Sequence, residues 1–197
     1  ASGANSRLQP SDVEAAKGVI VAADILLLQL ESPLETVTVA AQIAAAHGVQ
    51  VVLNPAPAQP LAPALLKHLT MITPNEVETE MLTGIKIEGE KSRESAALVL
   101  RSRGIATAII TLGARGVFVA NEKGHFLSPA FKVKAVDTTA AGDIFNGALT
   151  AFLSRHRSID EAVQMAGAAA ALSVTKLGAQ ASAPHLIDIQ HFLKEHA

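Results

Sequence analysis

"DILLLQLESPLETVTVAAQIAAAHGVQVVLN", residues 24–54, joins two short apolar runs through one amphipathic segment. The runs "DILLLQL" (24–30) and "VQVVLN" (49–54) have strand length and no polar alternation, the pattern of strands buried on both faces of a parallel sheet. Between them, "SPLETVTVAAQIAAAHG" (32–48) opens on Ser-Pro, carries Glu35 in its first turn and stops at Gly48, so both ends of a helix are marked. Strand, helix and strand in that order predict a βαβ unit.

The same alternation continues downstream. "TMIT" (70–73) and "TAIITL" (107–112) read as further buried strands, and "TPNEVETEMLTG" (73–84) and "SRESAALVLRSRG" (92–104) as helices closing on glycine. In "GVFVANEKGHFLSPAFKVKAVD" (116–137), turn residues such as Asn121 and Gly124 separate two or three strands, which predicts an antiparallel edge. The final third is helical. In "AGDIFNGALTAFLSRH", the residues Ile144, Phe145, Ala148, Leu149, Phe152 and Leu153 recur at helical spacing and predict one buried stripe. "SIDEAVQMAGAAAALSVTKLG" offers small residues (Ala166, Ala169, Ala170, Ser173) on one side, and "PHLIDIQHFLKEHA" ends the chain. "NPAPAQPLAPA" (54–64) is a Pro-rich loop. The expectation is an α/β fold, mostly parallel with an antiparallel edge, forming a single domain over residues 1–197.

Composition narrows the function. The chain has 197 residues, 49% of them apolar and 17% charged, with a formal net charge of -2. That charge offers no broad attraction for a polyanion, so nucleic acid is not an expected partner and any phosphate must be held by local geometry. No Cys is present, which excludes disulfides, thiolate metal sites and Cys nucleophiles and suits a reducing, cytoplasmic compartment. No apolar run has membrane-spanning length, and the opening "ASGANSRLQP" is turn-like and lacks the pattern of a signal peptide. The chain begins with Ala, and a longer natural amino terminus is expected. No Gly-x4-Gly-Lys-Ser/Thr or Gly-x-Ser-x-Gly run occurs, no strand is followed by Gly-x-Gly-x-x-Gly, and the seven His show no metal-binding spacing.

One stretch carries chemistry. "DTTAAGD" (137–143) is a small-residue turn feeding a helix, which leaves the N–H groups of Ala140, Ala141, Gly142 and Asp143 unpaired in the positive field of the helix dipole. Such a place binds anions. A lone first-turn Asp commonly serves only to satisfy the helix end. A carboxylate beside oriented amides is also the arrangement that deprotonates a hydroxyl while the amides steady charge on a transferring group.

"DTTAAGDIFNGAL" (137–149) resembles the carboxy-terminal signature of the ribokinase-like carbohydrate kinases. "LLLQLESP" (26–33), "NPAPA" (54–58), "TPNEVE" (73–78), "TLGARG" (111–116) and "KLGAQASAP" (176–184) follow that family's order. Ala140 stands where much of the wider family has Gly and fits the ribokinase subgroup. The resemblance implies a three-layer α/β/α fold and an ATP-dependent kinase acting on the primary hydroxyl of D-ribose. Asp143 would be the base, and Ala140, Ala141 and Gly142 the anion hole. Thr111, Leu112, Gly113, Ala114, Arg115 and Gly116 would line the ATP site, with Gly142 at the phosphates and Gly167 where the base packs. Asn75 and Glu78 would help place the phosphates and Mg2+, although Asn-x-x-Glu at a helix start is equally a capping pattern. Glu31 would contact the sugar. A K+ site would draw on Asp137, Thr139, Ser173, Lys176, Gly178 and Ser182, mostly through carbonyl oxygens.

The resemblance begins about a third of the way into a full-length member. It implies that the first strands, a di-glycine sugar-binding motif and a β-lid, through which longer members dimerise, lie outside this chain, and that residues 1–197 alone turn over poorly. Two alternatives stand beside ribose phosphorylation: a nucleotide-binding module without turnover, and a kinase of the same family acting on fructose or a nucleoside.

Overall fold

The computed structural model describes residues 3–196. Within them, six strands form one sheet in sequence order: β1 (Ile25–Leu28), β2 (Gln50–Leu53), β3 (Met71–Ile72), β4 (Thr107–Thr111), β5 (Val117–Asn121) and β6 (Gly124–Ser128). β1 to β4 run parallel, with Leu26 opposite Val51, Val52 opposite Met71 and Ile72 opposite Ala108. β5 and β6 add the antiparallel edge, so the sheet is mixed and flanked by helices. The segment 129–137 contains no strand, and the edge therefore has two strands.

Before β1 lie two short helices, α1 (Pro10–Ala15) and α2 (Lys17–Val21), in a stretch beyond the turn-like opening for which the sequence pattern predicts no element. α3 (Leu34–Ala46) links β1 to β2, α4 (Pro63–Leu66) links β2 to β3, and α5 (Glu76–Thr83) and α6 (Glu90–Ser102) link β3 to β4. Adding parallel strands in one direction through right-handed crossovers places these connecting helices on one face. Gly84 closes α5 at φ 74°, in the left-handed cap conformation that glycine adopts without strain. The single turn of α4 sits inside the Pro-rich stretch and begins on Pro63, a favoured first helical residue.

Val51, Val52, Leu53, Ile72, Ala108, Ile109 and Ile110 have no exposed surface, and Ala41, Ala44, Ala96 and Leu100 of α3 and α6 are equally enclosed. β1 departs from the expected two-sided burial. Ile25, Leu26 and Leu28 are half-buried and Leu27 is exposed, because β1 is the last strand on its side of the sheet and has one neighbour. At the other edge, Glu94 of α6 pairs with His125 of β6 at 3.3 Å, and the Arg93 guanidinium lies 5.8 Å from the Phe118 ring centre. These contacts fix the hairpin against α6.

The chain divides into two compact units. One contains the residues through Thr111 together with Phe118–Phe126, and the other contains Leu112–Val117 together with Leu127 onward. The second unit carries α7 (Ala141–Leu153), α8 (Ile159–Ser173) and α9 (Leu186–Glu195). Its core is Phe145, Leu149 and Phe152 of α7, Ala162, Val163, Ala166 and Ala169 of α8, and Ile189 and Phe192 of α9. The buried stripe of α7 is narrower than the spacing predicts: Ile144, Ala148 and Leu153 are only half-buried.

Gly116 is the tightest glycine of the second unit. It has φ 99°, and a Cβ there would meet the Ser128 carbonyl, lie 2.8 Å from the Ala130 nitrogen and 2.9 Å from the Pro129 carbonyl carbon. All three are main-chain atoms and cannot rotate away. Gly116→Ala should therefore lower unfolding free energy by roughly 2–4 kcal/mol. Chemical denaturation checks this, and a change under about 0.5 kcal/mol, the range of an ordinary surface substitution, would contradict the packing described.

Candidate active site

The first turn of α7 holds the candidate catalytic residues of the second unit. Ala140, at the helix entrance, has φ 59° and ψ 12°, a left-handed conformation that costs an L-residue about 1–2 kcal/mol. No side chain caps this helix end. The Ala141 N–H donates to the Thr138 carbonyl at 3.3 Å. Among the described residues, the N–H groups of Ala140, Gly142 and Asp143 have no partner within the chain. Of the three amides expected to form an anion hole, those of Ala140 and Gly142 are thus open and that of Ala141 has an acceptor, with the Asp143 amide open beside them.

Asp143 is solvent-exposed and makes no hydrogen bond to the helix end, so it does not serve as a cap. It lines a cavity of about 600 Å³, within the size range of small-molecule sites. Buried Asn146, one turn on, donates its side-chain amide to the Gly142 carbonyl at 2.9 Å and braces the turn from behind. Nothing in residue type alone separates Asn146 from a solvated helical Asn; only its burial reveals the brace.

Asp137 and Thr139, and the distant segment 173–178, come together. One Asp137 carboxylate oxygen accepts the Thr139 N–H at 2.9 Å, and the other accepts the Gly178 N–H at 3.0 Å, across 41 residues. The Val136 N–H adds a 2.7 Å bond to the Val174 carbonyl. Donation from Thr139, through both side chain and main chain, and from the Gly178 amide holds the Asp137 carboxyl down to about 2. Ser173 is buried at the end of α8, and Lys176 is exposed. Ser182 is buried in the next turn, its hydroxyl donating to the Ala179 carbonyl at 2.7 Å.

"TLGARG" straddles the two units. In the first, the Thr111 N–H donates to the Pro74 carbonyl at 2.9 Å and Thr111 bridges to Asn75, so this motif and "NEVE" meet. In the second, Gly113 (φ 57°), Ala114 and Arg115 form one exposed 3-10 turn, closed by a 2.8 Å bond from the Leu112 N–H to the Gly116 carbonyl. Because Gly116 packs on Ser128–Ala130, and Phe131 sits 3.8 Å from where a Gly167 Cβ would be, the turn and Gly167 are linked through residues 128–131. The sequence reading missed Phe131. Its ring meets Phe192 edge-on at 5.2 Å, and Phe192 stacks on His196 at 4.1 Å.

Asn75 and Glu78 form a full capping box. The Asn75 side-chain oxygen accepts the Glu78 N–H at 2.9 Å, and the Glu78 carboxylate accepts the Asn75 N–H at 2.8 Å and its side-chain amide at 2.9 Å. Burial raises the Glu78 carboxyl above its ordinary range, against the opposing pull of the Asn75 N–H. Glu31 is exposed. Its N–H donates to the Gln29 side chain, and its carboxylate accepts from Asn5 at 3.3 Å. The neighbouring Leu30 N–H bonds the Ala56 carbonyl at 2.8 Å, which ties "QLESP" to "NPAPA". Among the described residues no three His, Asp or Glu converge as a metal cluster, and no helix is long and apolar enough to cross a membrane.

Comparison with known proteins follows the same lines. The model of the pfkB family of carbohydrate kinases matches residues 1–186. A ribokinase of Haemophilus influenzae is 51% identical over 197 residues, which are 100% of this chain and 64% of that protein. The solved ribokinase of Thermotoga maritima is 40% identical with a TM-score of 0.89, covering 98% of this chain and 64% of its own. That of Arabidopsis thaliana, complexed with ribose and ATP, is 28% identical with a TM-score of 0.91 over 98% of this chain and 64% of its own. The chain thus spans just under two thirds of the length of these relatives. With the family model matching nearly its whole length and the sheet and helices superposing on solved members, the chain belongs to the pfkB family of carbohydrate kinases.

Proposed function

We propose that this chain is the nucleotide-binding and catalytic portion, within one domain, of a kinase that transfers the γ-phosphoryl group of ATP to the primary 5-hydroxyl of D-ribose. The observation that carries the reading is the start of α7, where partnerless amides stand beside an exposed carboxylate on an open cavity. Similarity to ribokinases of up to 51% identity supports ribose as the acceptor.

In this mechanism Asp143 removes the hydroxyl proton as the alcohol oxygen bonds to the γ-phosphorus. The bond from that phosphorus to the β,γ-bridging oxygen breaks, ADP leaves with the electron pair, and Asp143 is left protonated. The amides of Ala140, Gly142 and Asp143 face the negative charge on the transferring group, in the field of the helix dipole. Phosphoryl transfer needs mainly positioning and charge stabilisation, and this equipment suffices for both. Leu112–Gly116 lines the nucleotide, whose base packs near Gly167 and the Phe131 ring. Mg2+ bound with ATP supplies further charge neutralisation. Glu78 suits an outer role towards it through water, because both its oxygens already accept from Asn75. Glu31 contacts the sugar. K+ would be held at the junction of 137–139 with 173–178, and the full-length parent would form a homodimer.

A second reading has one observation behind it. The chain spans 64% of its Haemophilus relative, so acceptor positioning can reside in the unmatched third, and the chain alone then binds nucleotide without turnover. A suitable test protein is a chimera, the Haemophilus ribokinase with its matched region replaced by residues 1–197. The chimera is expected to phosphorylate ribose in preference to fructose or adenosine, while residues 1–197 alone show little turnover. Preference for either competitor overturns the ribose assignment.

Two substitutions test the roles. Asp143→Asn in the chimera should lower kcat by about 100-fold or more and leave KM for ATP within about threefold; a near-unchanged kcat refutes the base. Asp137→Ala should abolish the rate difference between potassium and choline chloride, and a retained difference removes Asp137 from the cation site.

A further inference from the structure

The turn that joins α7 to α8 reads "SRHRS" (154–158), a histidine between two arginines. The Arg157 N–H donates to the Phe152 carbonyl at 3.2 Å and the His156 N–H to the Leu153 carbonyl at 2.9 Å, the paired bonds that end a helix around a left-handed residue. Glycine usually fills that position. Here it is His156, at φ 58°, against the steric preference of an L-residue. One cation serves the carboxy-terminal dipole of α7. A left-handed histidine flanked by two arginines exceeds that need, and a residue held against its backbone preference points to a use for its side chain.

Arg155, His156 and Arg157 line one cavity of about 240 Å³, closed by the first turns of α8 and the start of α9. Arg155 also lines the larger cavity, about 18 Å along α7 from Asp143. Glu161 is the one acid on the smaller cavity among the described residues, and it is engaged. One of its carboxylate oxygens accepts the Ser158 N–H at 3.1 Å and the Ser158 hydroxyl at 3.3 Å, and the other lies 3.8 Å from the Arg157 guanidinium. The side chains of Arg155 and His156 have no hydrogen bond or ion pair among the described residues. The cavity therefore keeps an excess of positive charge that the chain does not neutralise.

Two guanidinium groups and an imidazole suit an anion with more than one charge and more than two oxygens. A phosphate monoester has both, with nearly two charges and three acceptor oxygens, and the guanidinium fork meets phosphate through parallel N–H donors. A simple carboxylate has one charge and two oxygens. The cavity also has more room than a lone oxyanion fills. Phe152 and Met165 give it an apolar side and Gln190 an amide, so a short hydroxylated carbon chain finds contacts beyond its phosphate. We propose that this cavity is a second ligand site, which binds a small phosphate monoester of the sugar-phosphate class through Arg155, His156 and Arg157. The site is read from the turn and its cavity and does not rest on the kinase reading.

Amide NMR of 15N-labelled residues 1–197 at low salt, where exposed charges are least screened, tests the site. Ribose 5-phosphate should move the His156, Arg157 and Ser158 resonances to saturation, and ribose should leave them in place. No movement at about 10 mM, or an equal movement with ribose, overturns the proposal. Inorganic phosphate should bind there at least about threefold more weakly, for want of the ester's carbon chain; equal or tighter binding makes free phosphate the ligand and overturns the ester. Succinate should be weaker again, and a dicarboxylate that binds as tightly as the ester overturns the choice of phosphate. Arg155→Ala should weaken ester binding by about tenfold or more, and Arg155→Lys by about threefold, since it keeps the charge and loses the fork. An unchanged affinity in Arg155→Ala refutes the site. His156→Gly relieves the backbone and so keeps the turn, yet should still weaken binding by about threefold; an undiminished affinity there refutes the three-residue site. The Gly142 and Asp143 resonances report separately on the start of α7, and no readout uses turnover, so a failed kinase assay leaves this result standing.

Discussion

Partnerless main-chain amides at the entrance of α7 are the constraint around which the second unit is arranged. A helix start ordinarily hides such donors under a Ser, Asp or Asn side chain. Here the entering residue is Ala140 in the left-handed conformation, which provides no cap and turns the chain so that Gly142 and Asp143 keep their N–H groups free. Asn146 fixes the turn from the protein side, its buried side-chain amide donating to the Gly142 carbonyl. Upstream, Asp137 joins the preceding turn to Gly178 in the turn after α8, so the entrance is held at both its ends by side chain to main chain bonds.

The contrast with α5 shows what such openness requires. There the Asn75 and Glu78 box satisfies the helix end completely, and a buried carboxylate is tolerated because two donors of one residue meet it. α8 likewise starts on a Ser158 and Glu161 box. α7 has no such cap, and its first-turn acid faces solvent. A helix end left uncapped beside an exposed carboxylate is a local cost, of the kind found where a ligand completes the arrangement.

Much of the fold was legible in the sequence because the first two thirds obey one period. Buried β-runs and glycine-terminated helices alternate, and β2, β3 and β4 fall inside the runs read as strands. β1 showed the limit: four leucines and an isoleucine read as a doubly covered strand, but coverage depends on neighbours, which no local pattern records. α1, α2 and α4 went unread because helices of four to six residues are too short for a 3.6-residue period to show. Of the candidate site, the uncapped helix start that carries Asp143 was legible from small residues meeting a helix start. The engagement of the Ala141 amide by Thr138, the brace from Asn146 and the place of Phe131 beside Gly167 were not, since each depends on a main-chain path or a contact across the fold.

The central claim, that the open amides of α7 receive the phosphates of a nucleotide, is tested most directly by amide NMR of 15N-labelled residues 1–197 titrated with ATP and Mg2+. The account predicts that the Gly142 and Asp143 resonances move in step with those of Gly113–Gly116, with one apparent affinity. Resonances of Gly142 and Asp143 that stay in place while nucleotide binds elsewhere on the chain would contradict it.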